Sequence, residues 1–145
     1  MLELSPLTSH YLEHLKLQPA QHNMAPYLLE AQYQNILLAH PGLAVLSHQG
    51  EVIACAGILP QTEHRAYIWA LLGSGAGRYM VALHKQVSSF LAQQSYIRLE
   101  TVVTRGFTAG ERWVRLLGFT HEGRLKHFMD YDRDAELYAY YQKTI

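Results

Sequence analysis

Three features of the sequence predict a mixed α/β fold. The strand-like run Tyr67 to Leu72 leads through a glycine-rich turn into an amphipathic helical pattern, and then into a second strand-like run, Ile97 to Val103. Strand, helix and strand in succession predict a right-handed parallel crossover. Before and after it, paired apolar runs separated by short polar turns predict antiparallel hairpins. The length is that of one domain, residues 1–145, and 49% hydrophobic residues suffice for one sizeable core.

Each element has its own signal. Leu2 to Leu4 is a short strand, and Ser5-Pro6 reads as the start of a helix carrying Leu7, Tyr11 and Leu15 at helical spacing. Pro26 opens a second helix with Tyr27, Leu28, Ala31, Ile36 and Leu37 on its apolar side, stopped by Pro41-Gly42. Leu43 to Ser47 and Val52 to Leu59 form a hairpin around His48-Gln49-Gly50-Glu51. After the glycine turn, Met80, Leu83, Val87, Phe90 and Leu91 mark one face of a helix packed on a sheet. Thr108 is placed to cap a short helix holding Trp113, Leu116 and Leu117, with Gly118 at its C-terminal end. Leu125 to Tyr131 and Ala135 to Tyr141, joined by Asp132-Arg133-Asp134, close the chain as a hairpin.

Composition narrows the function. Twelve Lys and Arg balance twelve Asp and Glu, and the basic residues are scattered, which argues against a nucleic-acid or polyanion surface. The nine histidines can turn the balance basic below neutral pH. Cys55 is the only cysteine, so no internal disulfide forms; within an apolar run it fits a reducing compartment or simple burial, and core filler is the favoured reading. No apolar stretch reaches the roughly 20 residues that cross a bilayer, and no signal-peptide pattern opens the chain. The expectation is a cytoplasmic protein without a membrane partner.

The turn Gly73-Ser74-Gly75-Ala76-Gly77 is the strongest chemical signal. Glycines let the backbone approach a ligand, and the helix that follows presents unpaired N–H groups and the positive end of its dipole. A phosphate is the natural guest. A bare strand-to-helix turn accounts for one or two of these glycines, not three. The phosphate-loop pattern ending in Gly-Lys-Ser or Thr is absent, and a dinucleotide fingerprint would need glycine where Arg78 stands.

Other candidates carry bland alternatives. His10 and His14 lie four apart around Glu13, but the His-Glu-x-x-His order of a zinc helix is missing, which favours an exposed helix face and no metal. Glu100 is the candidate base on its strand, acting directly or through water, or else an ion-pair partner of Arg98 or of a neighbouring strand. Tyr67, Tyr138 and Tyr140 are alternative acids or packing residues, and His121 and His127 read as polar sheet edge.

The order of elements resembles the GNAT family of N-acetyltransferases over almost the whole chain. Leu72-Gly73-Ser74-Gly75-Ala76-Gly77 is similar to the family's acyl-coenzyme-A signature, Arg or Gln followed by x-x-Gly-x-Gly or Ala, with Gly75 and Gly77 in register. Trp113-Val114-Arg115-Leu116-Leu117-Gly118-Phe119 looks like the family's helix ending in Leu-Gly-Phe, with Glu122-Gly123-Arg124-Leu125 opening the next strand. The stretch from Arg112 to Phe119 also looks like small GNAT-like proteins encoded by tailed phages.

The resemblance implies a mostly antiparallel central sheet flanked by helices, with two parallel strands splayed apart at the cofactor. It implies acetyl-coenzyme A as acyl donor, with Gly73, Ser74, Gly75, Ala76, Gly77 and Arg78 around the pyrophosphate and Leu71 and Leu72 paired with the pantetheine amides. The acceptor would be an amine of a small molecule or peptide, and Tyr138 to Tyr141 could pair across a homodimer. Departures are visible: Leu72 replaces the signature's Arg or Gln, Val114 the usual tyrosine acid, and Phe107 an asparagine. An acetyltransferase and a GNAT-like binding or structural protein without turnover therefore both stay open.

Overall fold

The computed structural model describes residues 2–142. Its elements run β1 (Leu2–Pro6), α1 (Ser9–His14), a 3-10 helix (Pro19–Met24), α2 (Ala25–Leu28), α3 (Ala31–Leu38), β2 (Gly42–Ser47), β3 (Val52–Pro60), β4 (Arg65–Leu72), a 3-10 turn (Ala76–Tyr79), α4 (Met80–Ala92), β5 (Arg98–Thr104), α5 (Thr108–Leu116), β6 (Thr120–Asp130) and β7 (Arg133–Tyr141). The hydrogen-bonded strand order is β1-β2-β3-β4-β5-β7-β6, mostly antiparallel with β4–β5 parallel, as the sequence predicts. None of the described helices is long and apolar enough to cross a membrane.

The chain divides into two compact units, one reaching to Leu59 and including Ile68–Gln86, the other comprising Pro60–Tyr67 and the chain from Val87. In the first, β1 pairs antiparallel with β2 from Leu2↔Ser47 to Pro6↔Leu43, and β2 pairs with β3 across the hairpin. Gly50 closes that hairpin with φ +86°, and the buried Ser47 hydroxyl accepts the N–H groups of Gln49 and Glu51, which satisfies a polar group inside. Leu12, Val45, Ile53, Cys55 and Leu83 are fully buried here. Gly57 is glycine because a Cβ would stand 2.8 Å from the Trp69 ring.

In the second unit, β4 and β5 share only a short parallel register, Arg65↔Arg98 to Tyr67↔Glu100, whereas β5 pairs with β7 from Arg98↔Tyr141 to Thr104↔Ala135. The helix α5 ends as the Leu-Gly-Phe signal predicts. Gly118 takes φ +106°, its N–H donates to Arg115 O, and that of Phe119 donates to Val114 O, while Val114 and Phe119 are both buried. That is the paired-carbonyl stop called a Schellman motif, with its apolar clasp.

Several expected boundaries move. Ser5-Pro6 does not start a helix: both residues lie in β1, opposite Ala44 and Leu43, and α1 begins at Ser9. The helix expected from Pro26 to Pro41 is broken into α2 and α3, because Glu30 is extended with ψ 128°. The break re-aims the apolar face, so Leu28 and Leu37 are buried while Tyr27 and Ile36 are 48% and 57% exposed. Phe107, not Thr108, holds the cap position of α5, and no side chain caps it.

Candidate functional site

The glycine turn joins β4 to α4, with the 3-10 turn between them in place of a direct entry. Within the turn, Gly73 N–H donates to Ile53 O at 2.8 Å, Ser74 N–H to Lys16 O at 2.7 Å and Ala76 N–H to Gly73 O at 3.1 Å. Among the described residues no acceptor takes the N–H of Gly75 or Gly77. Two alternate donors therefore stand free just ahead of a helix of 13 residues.

The three glycines serve different ends. None adopts a positive φ, a state confined among the described glycines to Gly50, Gly106 and Gly118. Gly73 is favoured by close approach, since a Cβ there would lie 3.1 Å from Ile53 O and 3.2 Å from Val52 O, tight against backbone. At Gly75 a Cβ would meet only the end of the flexible Glu51 side chain, at 2.9 Å, and at Gly77 it would meet nothing within 4 Å. Neither backbone conformation nor packing inside the chain accounts for Gly77, which leaves room for something outside it.

A groove of about 370 Å³ borders the turn, lined among others by His10, His14, Lys16, Glu51, Ser74 and Gly75. Lys16 comes here because Leu17 bridges antiparallel to Gly73. The histidines read as a plain helix face thus line the groove; His14 Nδ1 bonds His10 O at 2.8 Å, and their rings lie 4.2 Å apart. No described group of three His, Cys, Asp or Glu side chains is placed to hold a metal. Arg78 is 69% exposed and stands 3.7 Å from the Glu51 carboxylate, a loose pair that a competing anion can open.

The end of β4 is covered by chain far away in sequence. Peptide groups of a strand alternate between its edges, so Gly73 faces Ile53 of β3 while Ala70 and Leu72 face the other edge; Leu71 shares the alternation of Gly73. On that other edge, Leu72 O accepts from Gln18 N–H at 2.9 Å. The Gln21 side-chain amide donates to Ala70 O at 3.0 Å and accepts from Leu72 N–H at 2.9 Å. Gln21 carried no local signal, being about fifty positions from its partners.

In the second unit Glu100 is held between two guanidinium groups, Arg98 Nε at 2.6 Å and Arg65 Nη1 at 3.2 Å. These are the ion pairs that the sequence offered as its alternative role. Arg98 also forks onto Glu122 at 2.6 and 3.0 Å, and these bonds hold the Glu122 carboxyl below its usual range. Tyr138 is fully buried and donates to Glu111 Oε1 at 2.6 Å, with Arg115 Nη2 at 3.4 Å; burial first, then the Glu111 bond, pushes its hydroxyl pKa up. It cannot face a second copy, whereas Tyr141 is 51% exposed. His121 stands 3.6 Å from Glu136, and His127 sits in an irregular stretch of β6 with φ 56°. Val114 is part of the helix stop.

The sequence matches no protein-family model and no curated protein. In three dimensions the chain is similar to an N-acetyltransferase from Staphylococcus aureus Mu50, at 15% identity, 97% coverage of both chains and TM-score 0.70. It is similar to a GNAT superfamily phosphinothricin acetyltransferase from Sinorhizobium meliloti solved in complex with AcCoA, at 15% identity, 97% of this chain, 88% of that one and TM-score 0.73. A chimera of Vibrio cholerae spermidine N-acetyltransferase gives 17% identity, 97% and 95% coverage, and TM-score 0.72. With its parallel β4–α4–β5 crossover and the strand order above, the chain has the fold of the GNAT acetyltransferases.

Proposed function

We propose that the chain binds acetyl-coenzyme A at the glycine turn and passes its acetyl group to an amine of a small molecule or peptide. The observation that carries this reading is the pair of uncommitted N–H groups, Gly75 and Gly77, ahead of α4 in a fold shared with acetyltransferases. The open space at Gly77 fits a pyrophosphate that must lie close against the backbone. Gly75 and Gly77 would donate to its oxygens, while Arg78 and Lys16 supply charge from flexible side chains. Ala76 is buried and Ser74 N–H is already bonded, so these two shape the turn.

Of the expected pair, Leu71 faces β3, so Ala70 and Leu72 would offer the amide-bearing arm the peptide groups of a strand edge in place of their bonds to Gln21, in the manner of a peptide adding to a sheet. When bound, acetyl-coenzyme A supplies an acetyl thioester whose transfer forms a C–N bond, breaks the C–S bond and leaves a thiol once the amine's proton is passed on. Alignment of amine and thioester supplies much of the rate in such a transfer. Glu100 enters as the base through a water, which would use a lone pair left open because Arg65 and Arg98 each bond a single one of its oxygens. A Glu100→Gln variant that keeps its stability and loses transfer supports that role; equal loss of both assigns Glu100 to the ion pairs.

The test is thiol release from acetyl-coenzyme A across a panel of amines, following a binding titration. Binding with amine-dependent thiol release is the expected result, and no binding at millimolar ligand overturns the reading. A GNAT-like binding protein without turnover is the second reading, favoured by Val114 serving as a buried helix-stop residue where the family's acid stands. Binding with no thiol release for any amine selects it.

A further inference from the structure

We propose that the Gln21 side chain is an internal occupant of the β4 edge, and that the amide arm of a coenzyme reaches Ala70 and Leu72 only by displacing it. The inference rests on the acyl-coenzyme-A reading above and adds a competitor for the same site.

Two kinds of contact cover this edge. At the turn end, Leu17 bridges antiparallel to Gly73, flanked by Gln18 N–H to Leu72 O at 2.9 Å and Ser74 N–H to Lys16 O at 2.7 Å. Leu15 and Leu17 are buried, so this part is anchored in the core. Farther along β4 the hydrogen-bonding cover among the described residues is a single side chain. Gln21 Nε2 donates to Ala70 O at 3.0 Å, and Gln21 Oε1 accepts from Leu72 N–H at 2.9 Å.

One N–H donor and one carbonyl acceptor, spanning residues two apart, is what a peptide of an added strand presents. The secondary amide of a pantetheine arm presents the same pair. Both amides need the same two backbone groups, so only one can be seated. The glutamine is also held in place, since Gln18 Nε2 donates to Gln21 Oε1 at 3.0 Å and Gln21 N–H to Gln18 O at 2.9 Å.

Release requires rotation of the Gln21 side chain and exchange of its bonds to Ala70, Leu72 and Gln18, and no core is opened, because Gln21 is partly exposed on a 3-10 helix, Pro19–Met24, that buries no residue. Leu17 remains as the hinge. The pyrophosphate donors, Gly75 and Gly77, are untouched by the glutamine. Arm binding is therefore opposed while phosphate binding is not.

Calorimetric titration of wild type and Gln21→Ala with acetyl-coenzyme A, and with the armless fragment adenosine 3′-phosphate 5′-diphosphate, separates the possibilities. The fragment is expected to bind both proteins equally, and acetyl-coenzyme A to gain about tenfold in the variant, the effect of one to two net hydrogen bonds no longer opposing it. An equal fragment affinity with unchanged or weaker acetyl-coenzyme A binding overturns the inference and leaves the cofactor reading standing. Failure of both ligands on both proteins overturns the cofactor reading, and the inference with it. If Gln21→Ala does not fold, Gln21→Met keeps the stem and drops both bonds for the same comparison. Unfolding of both variants makes Gln21 a structural pin and overturns the inference.

Discussion

Gly77 and Gly118 are glycines for opposite reasons, and a methyl group tells them apart. Gly118 holds φ +106° at the end of α5, and a Cβ there would also come within 3.2 Å of the Tyr140 ring. Gly118→Ala is expected to cost about 1–2 kcal/mol in chemical denaturation, the usual penalty for an L residue in a left-handed conformation. Gly77→Ala meets no neighbour and keeps an ordinary φ. Its denaturation midpoint should equal or slightly exceed that of wild type, since alanine also restricts the unfolded chain. Burial alone pushes the Cys55 thiol up to about 12, so the native protein should resist a thiol reagent at neutral pH and react only on unfolding. Rapid labelling of folded protein would contradict the placement of Cys55. Tyr138→Phe removes a buried hydroxyl bonded to the Glu111 carboxylate, and a loss of about 2 kcal/mol is expected in the same denaturation experiment.

Elements with a local cause were legible. Gly50 between two apolar runs gave the β2–β3 hairpin, and Leu-Gly-Phe gave the α5 stop, because each signal lies within a few residues of the structure it produces. The break between α2 and α3 was not legible: no glycine or proline marks Leu29-Glu30, and the extended Glu30 backbone left no local sign. Pro6 misled for a related reason, since pairing with Leu43 drew it into a strand end. Between strands, Arg98 ties Glu100 of its own β5 to Glu122 of β6, and Arg65 of β4 joins the same carboxylate. The Arg98 bonds lower the folded-state pKa of Glu122 beneath the ordinary 4.5. The stability this contributes is present above that ordinary value and is lost as pH falls through the lowered one. Wild type should accordingly lose more stability than Glu122→Gln between about pH 6 and pH 3. Equal acid slopes would show that the pair contributes nothing to the fold's pH dependence.

At the scale of the whole molecule, the parallel crossover and the two hairpins came through from the sequence, since apolar runs and turn residues alone set their order. The site came through in part. The glycine turn was visible, but its division of labour was not, because only packing distinguishes Gly73 pressed on β3 from Gly77 in open space. Lys16 and Gln21 were missed, as both meet the turn or β4 through contacts with residues far along the chain. Glu100 and its partner Arg98 were singled out on their own strand, while Arg65 as the partner from the neighbouring strand was visible only once the β4–β5 register was known. The turn as an anion site for acyl-coenzyme A is the claim on which the rest depends. Titration of acetyl-coenzyme A into wild type and Gly77→Val, with circular dichroism and thermal unfolding of both, tests it most directly. Binding by wild type and its loss of tenfold or about 1.4 kcal/mol or more in a variant of unchanged fold is the expected result; equal binding by the two proteins, or none by wild type, would contradict it.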